Sequence, residues 1–410
     1  MESPSPHPKS GLPDNFSLWL DAFRWMAAFA VVITHTGNRL LVYASSIPLG
    51  EIDPVHFAFA FLMGFAHQGV MIFFVISGFL VGGGLYRDFT KGKPSLGEYL
   101  AKRLLRLWIV IIPALVFALG LTYLGLAAYP SGGTGIYSAN VAEKLTPVAF
   151  LCNAAFLQTA ACAPFADVGA LWSLFNEFWY YIVFPLLLIA LFPLHRGAAR
   201  LAAGIAATVL LVALTYFQYF GNGGQATVTA FAPYMLMWLL GVVVAVRGRP
   251  FIRCPVPVAA ALFVIALLAI RIGVRRNIDD YPVLEFWLDL LVVVLFANLL
   301  LALKLSRRLI SPPGGRLHTH LAGFSFSLYC VHVAILNAYV SVAMGQLGYG
   351  RHMTTTGLKE WALVAGALVV AIGGGYAFSL LTEAHTDRVR RRVLGWLSLR
   401  RAQSLAAGDG

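Results

Sequence analysis

Charge is what this chain has least of. Only 12% of its 410 residues are Asp, Glu, Lys or Arg, roughly half the share of an ordinary globular protein. With 59% apolar residues, a soluble fold of this length would lack the polar side chains to cover its surface. That excludes a cytosolic enzyme and a disordered chain. Four cysteines are too few for the framework of a secreted disulfide scaffold. Signatures of soluble catalysis are missing as well, with no Walker A loop, no G-x-S-x-G and no H-E-x-x-H. A signal peptide is not expected either: Met1 to Asn15 is polar with four prolines, and no A-x-A-like cleavage site follows the first apolar run.

What remains is a membrane protein. Ten apolar runs approach the roughly 20 residues that a bilayer-spanning helix needs, near 18–36, 69–86, 104–126, 171–193, 200–217, 227–246, 256–273, 284–303, 320–343 and 360–382. The expected fold is all-α and polytopic, with a polar tail over 1–17, a transmembrane domain over 18–383 and a basic tail over 384–410. With the N-terminus inside, 22 of the 30 Lys and Arg fall in inner segments and 7 in outer ones, including Arg39 and Arg271, while Arg24 lies within a span. That bias predicts both termini inside. The net charge of +12 is spread in short clusters between apolar runs, a pattern for anionic lipid rather than nucleic acid. Cys152 and Cys162 share one loop and can pair if that loop lies outside; Cys254 and Cys330, beside or within apolar runs, read as inert. Arg316, His318 and His320 read as a solvated inner loop, and no metal site is expected.

Ionisable residues inside a span are costly and mark function. The first run contains Asp21, Arg24 and His35. Arg24 and His35 are eleven residues apart, about 1100° at 100° per residue and within about 20° of three full turns, so they share a face about 16.5 Å apart along the axis. Asp21 is placed to pair with Arg24. In the fourth run Ser173, Glu177 and Tyr181 follow one another at intervals of four, and in the ninth Ser325, Tyr329 and His332 form a polar seam. Ser77-Gly78 interrupts the second run, where small residues allow close helix approach. Lys102, Arg103 and Arg106 stand at the inner mouth of the third; Arg103 and Arg106 share a face that suits either phosphate or the positive-inside bias.

Taken together these segments resemble the membrane acyltransferase-3 family. LDAFRWMAAFAVVITHTG is similar to the family's first span, its Arg-x10-His motif falling on Arg24 and His35. IFFVISGFL, with Ser77, is similar to the family's FF-x-x-SGFL segment, and LWSLFNEFWYYIVFP, with Trp172 and Glu177, to WSL-x-x-E-x-x-F/Y-Y-x-x-FP. FSFSLYCVHVAI matches Ser-x-Ser-Leu-Tyr-x-x-His at Tyr329 and His332. Two departures stand out: KRLLR occupies the place of the family's arginine-rich run, and Phe178 replaces a second acidic residue common after the glutamate.

The resemblance implies ten spans in the cytoplasmic (inner) membrane. It also implies transfer of an acyl group, acetyl first among candidates, from cytoplasmic acyl-CoA to a hydroxyl of an extracytoplasmic or lipid-linked saccharide. It makes His35, Arg24 and Glu177 the catalytic set, with His35 as general base or acyl-carrying nucleophile. Arg103, Arg106 and Lys102 would bind the donor's phosphates, and Ser77, Trp172, Tyr329 and His332 would line the substrate site. No resident cofactor or metal is implied, acyl-CoA being a co-substrate. The outer loop near 127–170 is the expected seat of acceptor choice. The same intramembrane Asp21, Arg24, His35 and Glu177 would also suit a proton-coupled secondary transporter, although the paired broken helices of such carriers are not seen in the two halves. A flippase-like or assembly subunit of a glycan export system is a third reading.

Overall fold

The protein is described by a computed structural model over residues 14–43, 46–47, 50–130, 136–138, 140–221, 231–273, 282–349, 352–353 and 357–395. Most of the 1–17 tail, the end of the basic tail and the predicted start of the sixth run at 227–230 lie outside the described residues. Lipid offers nothing for a bare peptide group to bond, so a spanning segment satisfies its backbone internally. The chain does this with helices; among the described residues the only β contacts are isolated bridges, Leu41 to Met353 and Gln158 to Cys162.

Helix α1 covers Asp14–Leu40. Next, α2 (Pro54–Leu62), α3 (Ala66–Ser77) and α4 (Gly83–Thr90) join through a 3-10 turn at Met63–Phe65 and a π-helical turn at Gly78–Gly82. This run begins at Pro54, capped by Asp53, whose side chain accepts from the N–H groups of Val55 and His56. The long α5 (Leu96–Ala128) follows, then the short α6 (Pro147–Ala154), α7 (Trp172–Leu191) and α8 (Gly197–Gly221). The rest are α9 (Phe231–Val246), α10 (Val256–Gly273), α11 (Pro282–Leu305), α12 (Arg316–Gly323), α13 (Ser325–Leu347) and α14 (Leu358–Leu381).

Eight of the described helical runs are long and apolar enough to cross a bilayer. The sixth and seventh predicted runs form the shorter apolar helices α9 and α10; α9 has 16 described residues, about 24 Å at 1.5 Å per residue. The ninth run breaks at Phe324 (φ −119°, ψ 3°), which separates α12 from α13. Helix α13 is the centre of the bundle, packed against α1, α5 and α14. It carries Ser325, Ser327, His332, Asn337 and Ser341, all buried, and such a helix belongs against protein rather than lipid. The apolar α8 lies at the edge, against α7 and α9.

Two features place the site. At the first, α3 crosses α9 with almost no separation: a Cβ on Gly78 would lie 1.8 Å from the carbonyl oxygen of Trp238, and one on Gly241 2.0 Å from that of Val75. Only glycine fits there. The second corrects the picture of 127–170 as a loop lying wholly outside. The indole N–H of Trp108 donates to the carbonyl of Ala154 at 2.9 Å. Trp108 is twelve residues into α5, about 18 Å from that helix's start. The loop therefore returns alongside the middle of α5. Sharp reversals make this path, with positive φ at Phe156, Thr159, Ala166 and Asp167. A Cys152–Cys162 disulfide and a 2.6 Å Lys144–Asp167 ion pair close it, and Phe156 stacks on Phe178 of α7 at 4.5 Å.

Candidate active site

Helical spacing puts Glu177 and Tyr181 on one face of α7, and that face meets the end of α3 at its π-helical turn. Ser77 Oγ donates to Glu177 Oε1 at 2.6 Å, and the Tyr181 hydroxyl donates to the same oxygen. The indole N–H of Trp238 completes the knot by donating to Ser77 Oγ at 3.1 Å. The tight α3–α9 crossing thus holds the serine, and the serine holds the carboxylate.

Beside this knot is a cavity of about 90 Å³. Arg24 of α1 and Arg103 and Arg106 of α5 converge on it, together with Ser77, Glu177, Tyr181, Ser325 and Tyr329. Asp21 pairs with Arg24 at 3.5 Å. The three guanidinium groups there meet the carboxylates of Asp21, Glu177 and, further off, Glu383. Nε of Arg103 is buried without a hydrogen-bond partner among the described residues. Guanidinium groups so placed can receive an anion.

One turn further along α13 the chemistry changes. Tyr329, on the cavity wall, donates its hydroxyl to the carbonyl of Ala170 at 2.6 Å and meets Ser173 Oγ at 2.6 Å. Its ring packs on His332 with centroids 5.7 Å apart, and His332 faces His35 at 5.1 Å. Arg39 bonds both the Nδ1 (3.3 Å) and the carbonyl oxygen (3.0 Å) of His35, and its Nε donates to Asn337 Oδ1 at 2.6 Å. The site has two parts, an arginine cavity and a histidine pair, with Tyr329 as the wall between them.

The structure therefore brings Arg24, Arg103, Arg106, Ser77, Glu177 and Tyr329 together at the cavity, and His35 with His332 next to it. Lys102 stands apart, paired with Glu98 one turn away and well exposed. Trp172 makes ring contacts with Phe74 and Tyr234 rather than lining the cavity. Three expectations need correcting. Arg39 is not a loop charge but sits in the last turn of α1, half-buried against His35 and Asn337; its i+4 spacing from His35 was the available signal. His318 is not solvated: it is buried in α12, its Nδ1 accepting from the Trp25 indole at 2.9 Å. Arg271, also counted as a loop charge, ends α10 and donates to the carbonyls of Ala60 and Phe61.

A further polar cluster had no sequence signal. His67 Nε2 lies 2.5 Å from Asp289 Oδ2 across 222 positions, and Glu285 offers an oxygen within 4.8 Å of both. One imidazole and two carboxylates are donor types a divalent cation takes.

Residues 17–380 match the profile of a family described as an acyltransferase domain, the acyltransferase-3 group. The chain is 25% identical over 370 residues to the acyltransferase MdmB of Streptomyces mycarofaciens, covering 87% of this chain and 88% of that one. It is 29% identical over 228 residues to nodulation protein 10 of Rhizobium leguminosarum bv. viciae, covering 53% and 54%. No solved structure gives a significant match.

Proposed function

The chain belongs to the acyltransferase-3 family and is a membrane acyltransferase, and from that premise we propose that it moves an acyl group, acetyl first, from cytoplasmic acyl-CoA to a hydroxyl of an extracytoplasmic or lipid-linked saccharide. Membership decides the class against a secondary carrier. The observation that carries the donor assignment is the convergence of Arg24, Arg103 and Arg106 on one cavity. CoA is rich in phosphate, and guanidinium groups bind phosphate through paired, charge-assisted hydrogen bonds.

Orientation gives the reaction its direction. With both termini inside, Arg103 lies seven residues into α5, about 10 Å from its inner end. His35 lies about 16.5 Å beyond Arg24 along α1, toward the outer face. The donor's charged end then binds near the cytoplasm, and the acyl group is delivered outward to the histidine pair. The first-span motif gives His35 the role of general base or acyl carrier. Glu177, held by Ser77 and Tyr181, shares the cavity lining with the three arginines. The segment 147–171 closes over α5, α7 and α13 through Ala154, Phe156 and Ala170, and in this reading acceptor choice belongs to that folded-in element. Its disulfide suits an oxidising exterior.

The test is release of free CoA by purified protein in nanodiscs, supplied with acetyl-CoA and a membrane glycolipid extract. Release is expected, and Arg103→Ala should raise the donor KM about 10- to 100-fold, the worth of a charged hydrogen bond. No release from acetyl-CoA or succinyl-CoA would refute the reading. Release with an unchanged KM in Arg103→Ala would remove the arginine's role.

A further inference from the structure

Arginine has no lone pair to offer, so each hydrogen bond it makes is a donation. Arg39 Nη1 stands 3.3 Å from Nδ1 of His35, which makes Nδ1 the acceptor. A neutral imidazole carries one proton, and in His35 it must then sit on Nε2. His332 is set the opposite way. Its Nδ1 lies 2.8 Å from the carbonyl oxygen of Tyr329, which can only accept, so Nδ1 carries the proton and Nε2 the lone pair. That Nε2 is buried without a partner among the described residues, in a residue with no exposed surface. The facing rings, 5.1 Å apart, thus carry an N–H on one and an unused lone pair on the other.

We infer that the two histidines divide the transfer chemistry, with Nε2 of His332 as the general base and the Nε2–H of His35 as the donor to the thioester carbonyl oxygen. This rests on the acyltransferase reading and reverses the role the first-span motif gives His35. The acceptor's hydroxyl proton passes to Nε2 of His332 as its oxygen bonds to the carbonyl carbon. The carbonyl π pair moves onto oxygen, where His35 meets it. That pair returns, the C–S bond breaks, and the departing thiolate takes the proton from His332. The products are an ester and CoA thiol, both rings regain their starting protonation, and no electrons are exchanged. Arg39, anchored on Asn337 at 2.6 Å, is a positioning residue that keeps His35 in its donor form.

Two measurements test this. The first needs no activity: nitrogen-15 spectra of histidine-labelled protein in nanodiscs, assigned with His35→Gln and His332→Gln, report which ring nitrogen is protonated. Nε2–H is expected for His35 and Nδ1–H for His332. Arg39→Met should release His35 into a mixture of tautomers, which loss of a merely structural arginine would not do. The reverse protonation at either ring overturns the inference. The second is CoA release by variants that elute as monodisperse protein. Glutamine retains an N–H donor but is no base. His35→Gln should therefore keep at least about ten times the rate of His35→Ala, while His332→Gln falls about 10²- to 10⁴-fold, the range of a lost general base. If His332→Gln is near wild type while His35→Gln is as inactive as His35→Ala, His35 is the base and the inference fails with the acyltransferase reading intact. If wild type releases no CoA, that reading fails, and the spectra still decide the tautomers.

Discussion

Replacing Gly78 by alanine adds one methyl group at the point where α3 touches α9. The new Cβ would stand 1.8 Å from the carbonyl oxygen of Trp238, where contacts below 3.0 Å are essentially never seen. The two backbones must part by at least 1.2 Å, because neither side of the contact is a side chain that can swing away. The Trp238–Ser77 hydrogen bond, 3.1 Å long, would stretch to about 4.3 Å and cease to exist. Overpacking of this kind costs about 1–3 kcal/mol, and the lost bond adds about 1 kcal/mol, so a loss of roughly 2–4 kcal/mol is expected. Ser77 also holds Glu177, so the displacement reaches the cavity; a misplacement of about 1 Å is able to lower a rate about 10²-fold. Gly84→Ala, six residues on, meets nothing within 4 Å and should be neutral or stabilising by up to about 1 kcal/mol through helix propensity. Thermal unfolding in nanodiscs and CoA release read both effects on the same samples. If Gly78→Ala matches Gly84→Ala in stability and rate, the crossing does not hold the site as described.

Tyr329→Phe removes the hydroxyl that bonds Ala170 and Ser173, and should cost about 2–3 kcal/mol; Ser173→Ala should cost about 1 kcal/mol, and the two variants together should be non-additive in thermal unfolding. Opening the Cys152–Cys162 disulfide by double serine replacement should destabilise by about 3 kcal/mol from loop-closure entropy. In intact cells both thiols should resist maleimide unless reductant is present, and free reactivity of both would place the segment in a reducing compartment. Lys144→Met leaves the Asp167 carboxylate with only its bonds to Ser138. Because the pair is largely sheltered, the loss of about 1–2 kcal/mol should persist at high salt, whereas a fully screened surface pair would show none.

What the sequence discloses is whatever helical periodicity carries. The faces shared by Glu177 and Tyr181, by Arg103 and Arg106, and by Tyr329 and Ser325 all reappear at the cavity, because positions three or four apart on a helix are neighbours by geometry alone. The Arg24–His35 stripe also holds, yet its ends serve different parts of the site, Arg24 the cavity and His35 the histidine pair. Partners on separate helices are another matter. Ser77 and Glu177 are 100 positions apart, and His67 and Asp289 are 222 apart; no single-chain period links them. Hydropathy located the helical runs but not the depth of 147–171, because an apolar loop reads the same whether it faces solvent or folds back along α5.

In the run from Pro54 to Thr90, reach and aim are set by different quantities. Reach depends on how many apolar residues are present, and removing one shortens the run by only about 1.5 Å. Aim depends on phase, and the π-helical turn at Gly78–Gly82 holds the surplus residue that offsets α4 from α3. Deleting one residue within that turn would restore unbroken α-helical phase and swing Arg87 and the rest of α4 by about 100° relative to Ser77. The protein would insert as before, with almost the same hydropathy profile, while α4 and Arg87 pointed elsewhere. Two chains alike in every span are thus separable by one residue of helical phase, into one whose α4 faces as it does here and one whose α4 does not.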